Sequence, residues 1–246
     1  MKFNGSTIVV CGSTSGVGQA VIKVLQKHKT NIIAIGNNKE KLERLYLSQG
    51  INCVQVDLCK AIEVESVYKA IKNTCHKIDS LICCAGIGIF GNITDYTDHE
   101  IEECIYTNLI GQIILIKHLV KLMNESGHIV IVESIAAKKP FKYGSVYVAS
   151  KFGMAGFSEA LSYELRKKNI KVTSIRPGLI NTGFVGDLVS KSELQYALAP
   201  NDVANAIVYA LLQPDSCNIS EITLRPFDRR GQDLFINALE QKFEKI

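Results

Sequence analysis

Tyr147-Val148-Ala149-Ser150-Lys151 places a phenol and an ammonium four residues apart. The stretch they open has Met154, Ala155, Ser158, Leu161, Ser162 and Leu165 at helical spacing, so the two groups share one helix face. An ammonium beside a phenol stabilises the phenolate, which would bring a tyrosine down from its usual pKa of about 10 toward the range useful for proton transfer. The spacing alone is unspecific: Tyr68/Lys72 and Tyr163/Lys167 share it and read as ordinary helix faces. Ser134 separates the first pair from the others. It lies 147 − 134 = 13 residues before Tyr147, just after the apolar run 128–132, so its hydroxyl falls at the end of a strand. Tyr68 has Gln55 at that offset, and Tyr163 has Ser150, which belongs to the Tyr147 helix itself.

A second constellation is Gly12-Ser13-Thr14-Ser15-Gly16-Val17-Gly18, which follows an apolar run and opens a helical pattern. Glycines let a phosphate approach the backbone, and a helix N-terminus offers free N–H groups and a favourable dipole. The spacing is G-x-x-x-G-x-G rather than G-x-G-x-x-G, and a plain strand-to-helix turn would use the same residues. After the next run, Asn37-Asn38-Lys39 supplies no acid before Glu40. An acid there would bond an adenine-ribose 2′-OH and repel a 2′-phosphate. Neutral Asn37 and cationic Lys39 tolerate that phosphate, which favours NADP over NAD; a polar turn is the competing reading. Asp57-Leu58 follows the third run and Cys84-Ala85-Gly86 the fourth, with Gly88 and Gly91 beyond. In this architecture they flank the adenine and ribose, unless Asp57 simply caps the helix after it.

These residues need positioning elements, and the chain supplies them. Short Ile/Val/Leu-rich runs at 7–11, 31–36, 51–56, 80–84, 128–132, 171–175 and 221–224 read as buried strands. Between them the period changes to helical: Val17, Ala20, Val21, Val24 and Leu25 lie on one face, as do Val64, Val67, Tyr68, Ile71 and Cys75. The alternation predicts an α/β fold. It is a single-domain, doubly wound Rossmann fold, with a seven-stranded, mostly parallel sheet covered on both faces by helices. In such a sheet ligands bind at the carboxyl ends of the strands, where all the residues above fall. The segment 109–123 is apolar on nearly every side, as expected of a core helix or a subunit interface.

Composition narrows the function classes. At 246 residues, 47% hydrophobic and 21% charged, the chain is globular, and a net charge of +4 is too small for nucleic-acid binding. None of the eight cysteines forms a C-x-x-C pair, so metal and dithiol spacings are missing and free thiols in a reducing, cytoplasmic setting are expected. No segment reaches the roughly 18 apolar residues of a membrane helix.

The glycine loop, Cys84-Ala85-Gly86, Asn108, Ser134, Tyr147-x-x-x-Lys151 and Arg176-Pro177-Gly178 stand in an order and approximate spacing that resembles the short-chain dehydrogenase/reductase family over residues 6–226. The resemblance implies an NAD(P)-dependent oxidoreductase acting on a carbonyl/alcohol pair. It implies that Tyr147 protonates the carbonyl oxygen, that Lys151 lowers the Tyr147 pKa and holds the nicotinamide ribose, that Ser134 orients the substrate oxygen, and that Asn108 holds a water in the proton relay. Pro177-Gly178, Ile180 and Thr182 would lie along the nicotinamide, and a homodimer or homotetramer would form through 109–123 and 147–167. The chain departs from the family at Cys11-Gly12 for Thr-Gly, at Cys83-Cys84 for Asn-Asn, and at Glu133 before Ser134 where a serine is usual. A non-catalytic nucleotide sensor or scaffold on the same fold is the alternative.

Substrate contacts are expected from 87–90, 138–143 and 179–200, where Phe90, Phe141, Tyr143, Phe184 and Leu188 suit an uncharged, partly apolar carbonyl compound. The tail 227–246 carries Phe235, Ala238, Leu239, Phe243 and Ile246 on one face of a short helix beginning after Gly231. It would cover a neighbouring subunit, fold over the chain's own site, or fray.

Overall fold

The computed structural model describes residues 3–244. Seven strands run β1 (Thr7–Cys11), β2 (Asn31–Gly36), β3 (Asn52–Gln55), β4 (Ile78–Cys83), β5 (Met123–Val132), β6 (Lys171–Pro177) and β7 (Glu221–Leu224). They form one sheet in the order β3-β2-β1-β4-β5-β6-β7, and all six pairings are parallel. The chain winds outward from β1 to β3, then returns to place β4 on the other side of β1. That reversal opens a crevice at the carboxyl ends of β1 and β4.

Helices α1 (Gly16–Gln26), α2 (Lys39–Gln49), α3 (Ala61–Thr74), α4 (Asp98–Ile105), α5 (Gly111–Leu119), α6 (Ser145–Leu165), α7 (Pro200–Leu211) and α8 (Arg229–Phe243) connect or follow the strands. Alternate strand residues feed two cores. Val9, Ile33, Leu81, Ile129 and Val172 pack with α3, α5 and α6 on one face. Ile8, Ile32, Ile82, Val130 and Ile175 pack with α1 and α7 on the other. Strands buried on both sides must be apolar at successive positions, which is why they read as unbroken runs.

The apolar segment 109–123 is not one helix. Tyr106–Ile110 form a π-turn, α5 ends at Leu119, a 3₁₀ turn spans Val120–Leu122, and Met123 already begins β5. Ser126 at φ 62 and a register shift between Ile78 and Ser80 absorb the early start. Asp57 does not cap α3. Lys60 holds the N-cap position, while an Asp57 carboxylate oxygen accepts the Cys59 amide at 3.0 Å.

The tail folds over the chain's own crevice, with Leu234, Phe235 and Ala238 against Val185, Val189 and Leu194. Gly231 lies inside α8 rather than before it, and glycine is required there because a Cβ would sit 1.9 Å from the Tyr196 carbonyl oxygen. Arg230 adds its guanidinium 3.9 Å from the Tyr196 ring centre. Gly231→Ala must therefore push α8 off this loop, and a melting temperature about 4–8 °C lower is expected. A calorimetric trace matching wild type would show that α8 is not seated this way.

Candidate active site

A cavity of about 770 Å³ begins at the glycine loop, runs past Cys84, Ala85 and Gly86, and ends among Ser134, Tyr147 and the aromatic side chains. Its near end is shaped by missing side chains. A Cβ on Gly12, whose φ is 81, would meet the Ala85 amide nitrogen at 2.5 Å; on Gly16 it would meet Thr182 at 2.5 Å, and on Gly18 the Gly12 carbonyl at 2.2 Å. Ser15 caps α1: its hydroxyl donates to the Gly12 carbonyl (2.7 Å) and accepts from the Gly18 amide (3.2 Å). Gly16 and Val17 form the first turn of α1, where backbone amides have no acceptor within the helix, and both residues border the cavity.

The expected cofactor residues divide into those at the cavity and those behind it. Ser15, Gly16, Val17, Cys84, Ala85, Gly86, Tyr147, Lys151, Pro177, Gly178, Ile180 and Thr182 line it. Ser13 is buried and donates to the Ile35 carbonyl (2.9 Å), and Leu58 is part of the core under the Gly111 backbone. Asn38 caps α2 through the Lys41 amide (2.9 Å), and Lys39 faces solvent, 3.8 Å from Glu43. Asn37 is exposed, its carbonyl accepting from Gln55 (3.2 Å). Lys41, which the sequence reading passed over, is the basic residue of α2 at the cavity; its ammonium donates to the Thr14 carbonyl (3.2 Å).

At the far end α6, β5 and the π-turn converge. The Tyr147 hydroxyl hydrogen-bonds Ser134. The Lys151 ammonium lies 5.7 Å from the Tyr147 ring centre and donates to the Val132 carbonyl at 3.4 Å. Asn108 is fully buried in the π-turn, and both its polar atoms are engaged: Oδ1 accepts the Ile87 amide and Nδ2 donates to the Ile87 carbonyl, each at 2.8 Å. Its side chain therefore braces the 84–90 segment. The extra residue of a π-turn lets a helical side chain turn this way, and such turns cluster at functional sites.

Burial sets the titration here. It pushes the Tyr147 hydroxyl up to about 12, with the Ser134 hydrogen bond pulling the other way. This is opposite to the effect expected of Lys151: desolvation of the phenolate dominates, and the group that pulls the hydroxyl down is Ser134 rather than the lysine. Burial draws the Lys151 ammonium down to about 8, opposed by the Glu133 carboxylate. Tyr147 is thus a protonated hydroxyl at neutral pH, next to a lysine that titrates slightly above it. Burial also raises the thiols of Cys11, Cys83 and Cys84, and all three are free.

Four phenylalanines wall the cavity around Tyr147. Phe90, Phe184 and Phe141 have ring centres 5.5, 5.7 and 6.5 Å from it, and Phe235 of α8 meets Phe90 edge-on at 4.8 Å. Of the other side chains expected near substrate, Tyr143 packs on Phe243 (5.4 Å) and Leu188 joins the cluster beneath α8. Nothing in the sequence marked Phe235 as a wall residue beyond its place on an amphipathic face.

Glu133 lies directly beneath. Its Oε1 accepts the hydroxyls of Ser158 (2.6 Å) and Ser174 (2.7 Å), and its Oε2 accepts Arg176 Nε (2.6 Å). Arg176 also pairs with Glu221, which binds Lys138 at 2.6 Å.

Among known proteins, residues 6–193 match the short chain dehydrogenase family. An uncharacterized oxidoreductase of Staphylococcus aureus is 33% identical over 223 residues, 89% of this chain and 96% of the relative. An alcohol dehydrogenase of the archaeon Thermococcus sibiricus, solved with 5-hydroxy-NADP, superposes with a TM-score of 0.83 at 23% identity, over 91% of this chain and 97% of that one. The closed form of a serine dehydrogenase, solved with NADP+, gives 0.82 at 26% identity, over 89% and 94%. Among the described residues no helix is long and apolar enough to cross a membrane.

Proposed function

The chain belongs to the short-chain dehydrogenase family, and from that premise we propose that it is an NADP(H)-dependent oxidoreductase interconverting an apolar or aromatic carbonyl compound and its alcohol. The observation that carries this reading is the meeting, in one cavity, of a glycine cradle with no room for side chains and a cluster of Ser134 with the buried Tyr147 and Lys151. The cradle fits a dinucleotide: Thr14, Ser15, Gly16 and Val17 offer helix N-terminal backbone to a pyrophosphate. Gly86 keeps the Lys151 ammonium open to a ribose, since a Cβ there would stand 3.5 Å from it. When bound, the nicotinamide supplies or takes up the hydride.

The chain's own residues supply the rest. Tyr147, held neutral by burial, gives its proton to the carbonyl oxygen, and Ser134 fixes that oxygen from the side. Lys151 places a positive charge beside the phenolate that results. Asn108 acts through the Ile87 backbone as a positioning residue. The Phe90, Phe141, Phe184 and Phe235 walls exclude water and favour a substrate with an apolar or aryl substituent. The exposed rings of Tyr106, Phe152 and Tyr163 at the start of the π-turn and along α6 suit self-association, in keeping with a homodimer or homotetramer.

NADP is favoured over NAD here by Lys41 and by the absence of an acid at the end of β2. Solved neighbours carrying NADP+ and 5-hydroxy-NADP agree with that choice. The test is parallel titration with NADPH and NADH read by nicotinamide fluorescence, which no tryptophan of this chain obscures. NADPH should bind at least about tenfold more tightly, and Lys41→Ala should remove most of that difference while leaving NADH binding unchanged, as loss of one charge-assisted phosphate contact implies. Equal affinity for both in the wild type, or a preference that survives Lys41→Ala, would refute the assignment.

A further inference from the structure

Glu133 stands between the two residues of β5 and its end that touch the proton-transfer pair. Val132 accepts the Lys151 ammonium on its carbonyl, and Ser134 bonds the Tyr147 hydroxyl. Its own backbone amide donates to the Ile175 carbonyl at 2.8 Å. Its side chain, 0% exposed, receives donors from two elements: Ser158 of α6, and Ser174 and Arg176 of β6. One carboxylate thus ties the end of β5 to the next strand and to the helix that carries Tyr147 and Lys151. Stability gives no reason for an acid here, because a buried ion pair is commonly matched or bettered by apolar residues of similar volume.

We propose that Glu133 is a positioning residue for proton transfer: through Ser158, Ser174 and Arg176 it fixes Ser134 and the Val132 carbonyl against α6, and so seats the partners of both Tyr147 and Lys151. The proposal rests on the reading of Tyr147 and Lys151 given above. The groups that act on Lys151 come from three elements around it: Glu133 at the end of β5, the Cys84 thiol after β4 and the Cys104 thiol of α4, with Tyr147 on its own helix. The thiol of Cys84 is pushed up strongly by burial and that of Cys104 is raised, so both are neutral where Lys151 titrates. Glu133 is the carboxylate in that set, and it opposes the burial that would strip the ammonium of its proton.

The experiment is the pH dependence of kcat and KM for Glu133→Gln, which keeps the shape and, through its amide oxygen, the serine contacts, while it removes the charge and the acceptor of Arg176 Nε. The alkaline limb of kcat should move down by about one pH unit, and kcat at its optimum should fall about tenfold with KM nearly unchanged. A wild-type kcat and limb would overturn the proposal, as would a lower kcat with an unmoved limb, since the latter is what a purely structural residue gives. Should Glu133→Gln not fold, Glu133→Asp keeps the charge but is one methylene too short for its three donors. It should lose kcat while keeping the wild-type limb, and an unchanged kcat would overturn the proposal. Tyr147→Phe, run alongside, separates the two readings: if it stays active the proton-transfer assignment falls, whereas a dead Tyr147→Phe beside a wild-type-like Glu133→Gln removes only the role of Glu133.

Discussion

Tyr147→Phe is expected to lower kcat about a thousandfold while NADPH affinity stays within about threefold, because the hydroxyl is the only atom lost and general-acid catalysis contributes about 10²–10⁴. The ring is locked between Phe90 and Phe184, so the variant keeps its packing. It loses the hydrogen bond to Ser134 and the phenolic proton poised at the substrate end of the cavity. Steady-state turnover and nucleotide titration on the same preparation check both halves. A Phe variant with wild-type turnover would mean that the proton comes from elsewhere.

Lys151→Met should act with opposite signs on activity and stability. Turnover is expected to fall by about two to three orders of magnitude, through loss of the charge beside the phenolate and of a nucleotide contact. Stability should rise. In the fold Lys151 titrates near 8, below the ordinary lysine value of 10.5. The unfolded chain therefore binds more protons between those values, and wild-type stability climbs with pH across that window. At pH 7 the buried ammonium costs on the order of 3 kcal/mol, which a methionine does not incur. Thermal melts of both proteins between pH 7 and 10 would test this: the Met variant should melt higher at pH 7, with the gap closing as pH rises. A variant less stable at pH 7 would contradict it. The same lysine sets an upper pH limit on reduction, since activity should decline as pH passes about 8.

The strands and the site were legible for one physical reason. Parallel strands covered on both faces are apolar at most successive positions, and their carboxyl ends gather whatever polar residues follow. That rule places Ser134 and Pro177 at one crevice, and both line the cavity. What it missed depends on angle and distance. Lys39 and Lys41 are two residues apart and so about 200° apart around α2, which turns one to Glu43 and the other to Thr14. The π-turn at Tyr106–Ile110 has no compositional signature, yet it decides that the Asn108 side chain braces Ile87. Glu133 looked like a departure from pattern because its partners are 25, 41 and 43 residues away. Gly231 looked like a helix start, whereas the close Tyr196 carbonyl requires a glycine within α8.

The most direct measurement uses NADPH carrying deuterium at the transferable C4 position, with a panel of aryl and alkyl ketones and aldehydes, and mass spectrometry of the products. Wild-type protein should yield an alcohol with one deuterium on its carbinol carbon, from aryl ketones more than from charged carbonyl compounds, and Tyr147→Phe should yield almost none. If NADPH binds yet no carbonyl in the panel gains deuterium, the chain is a nucleotide-binding protein without turnover, and the chemistry assigned to Ser134, Tyr147 and Lys151 is wrong.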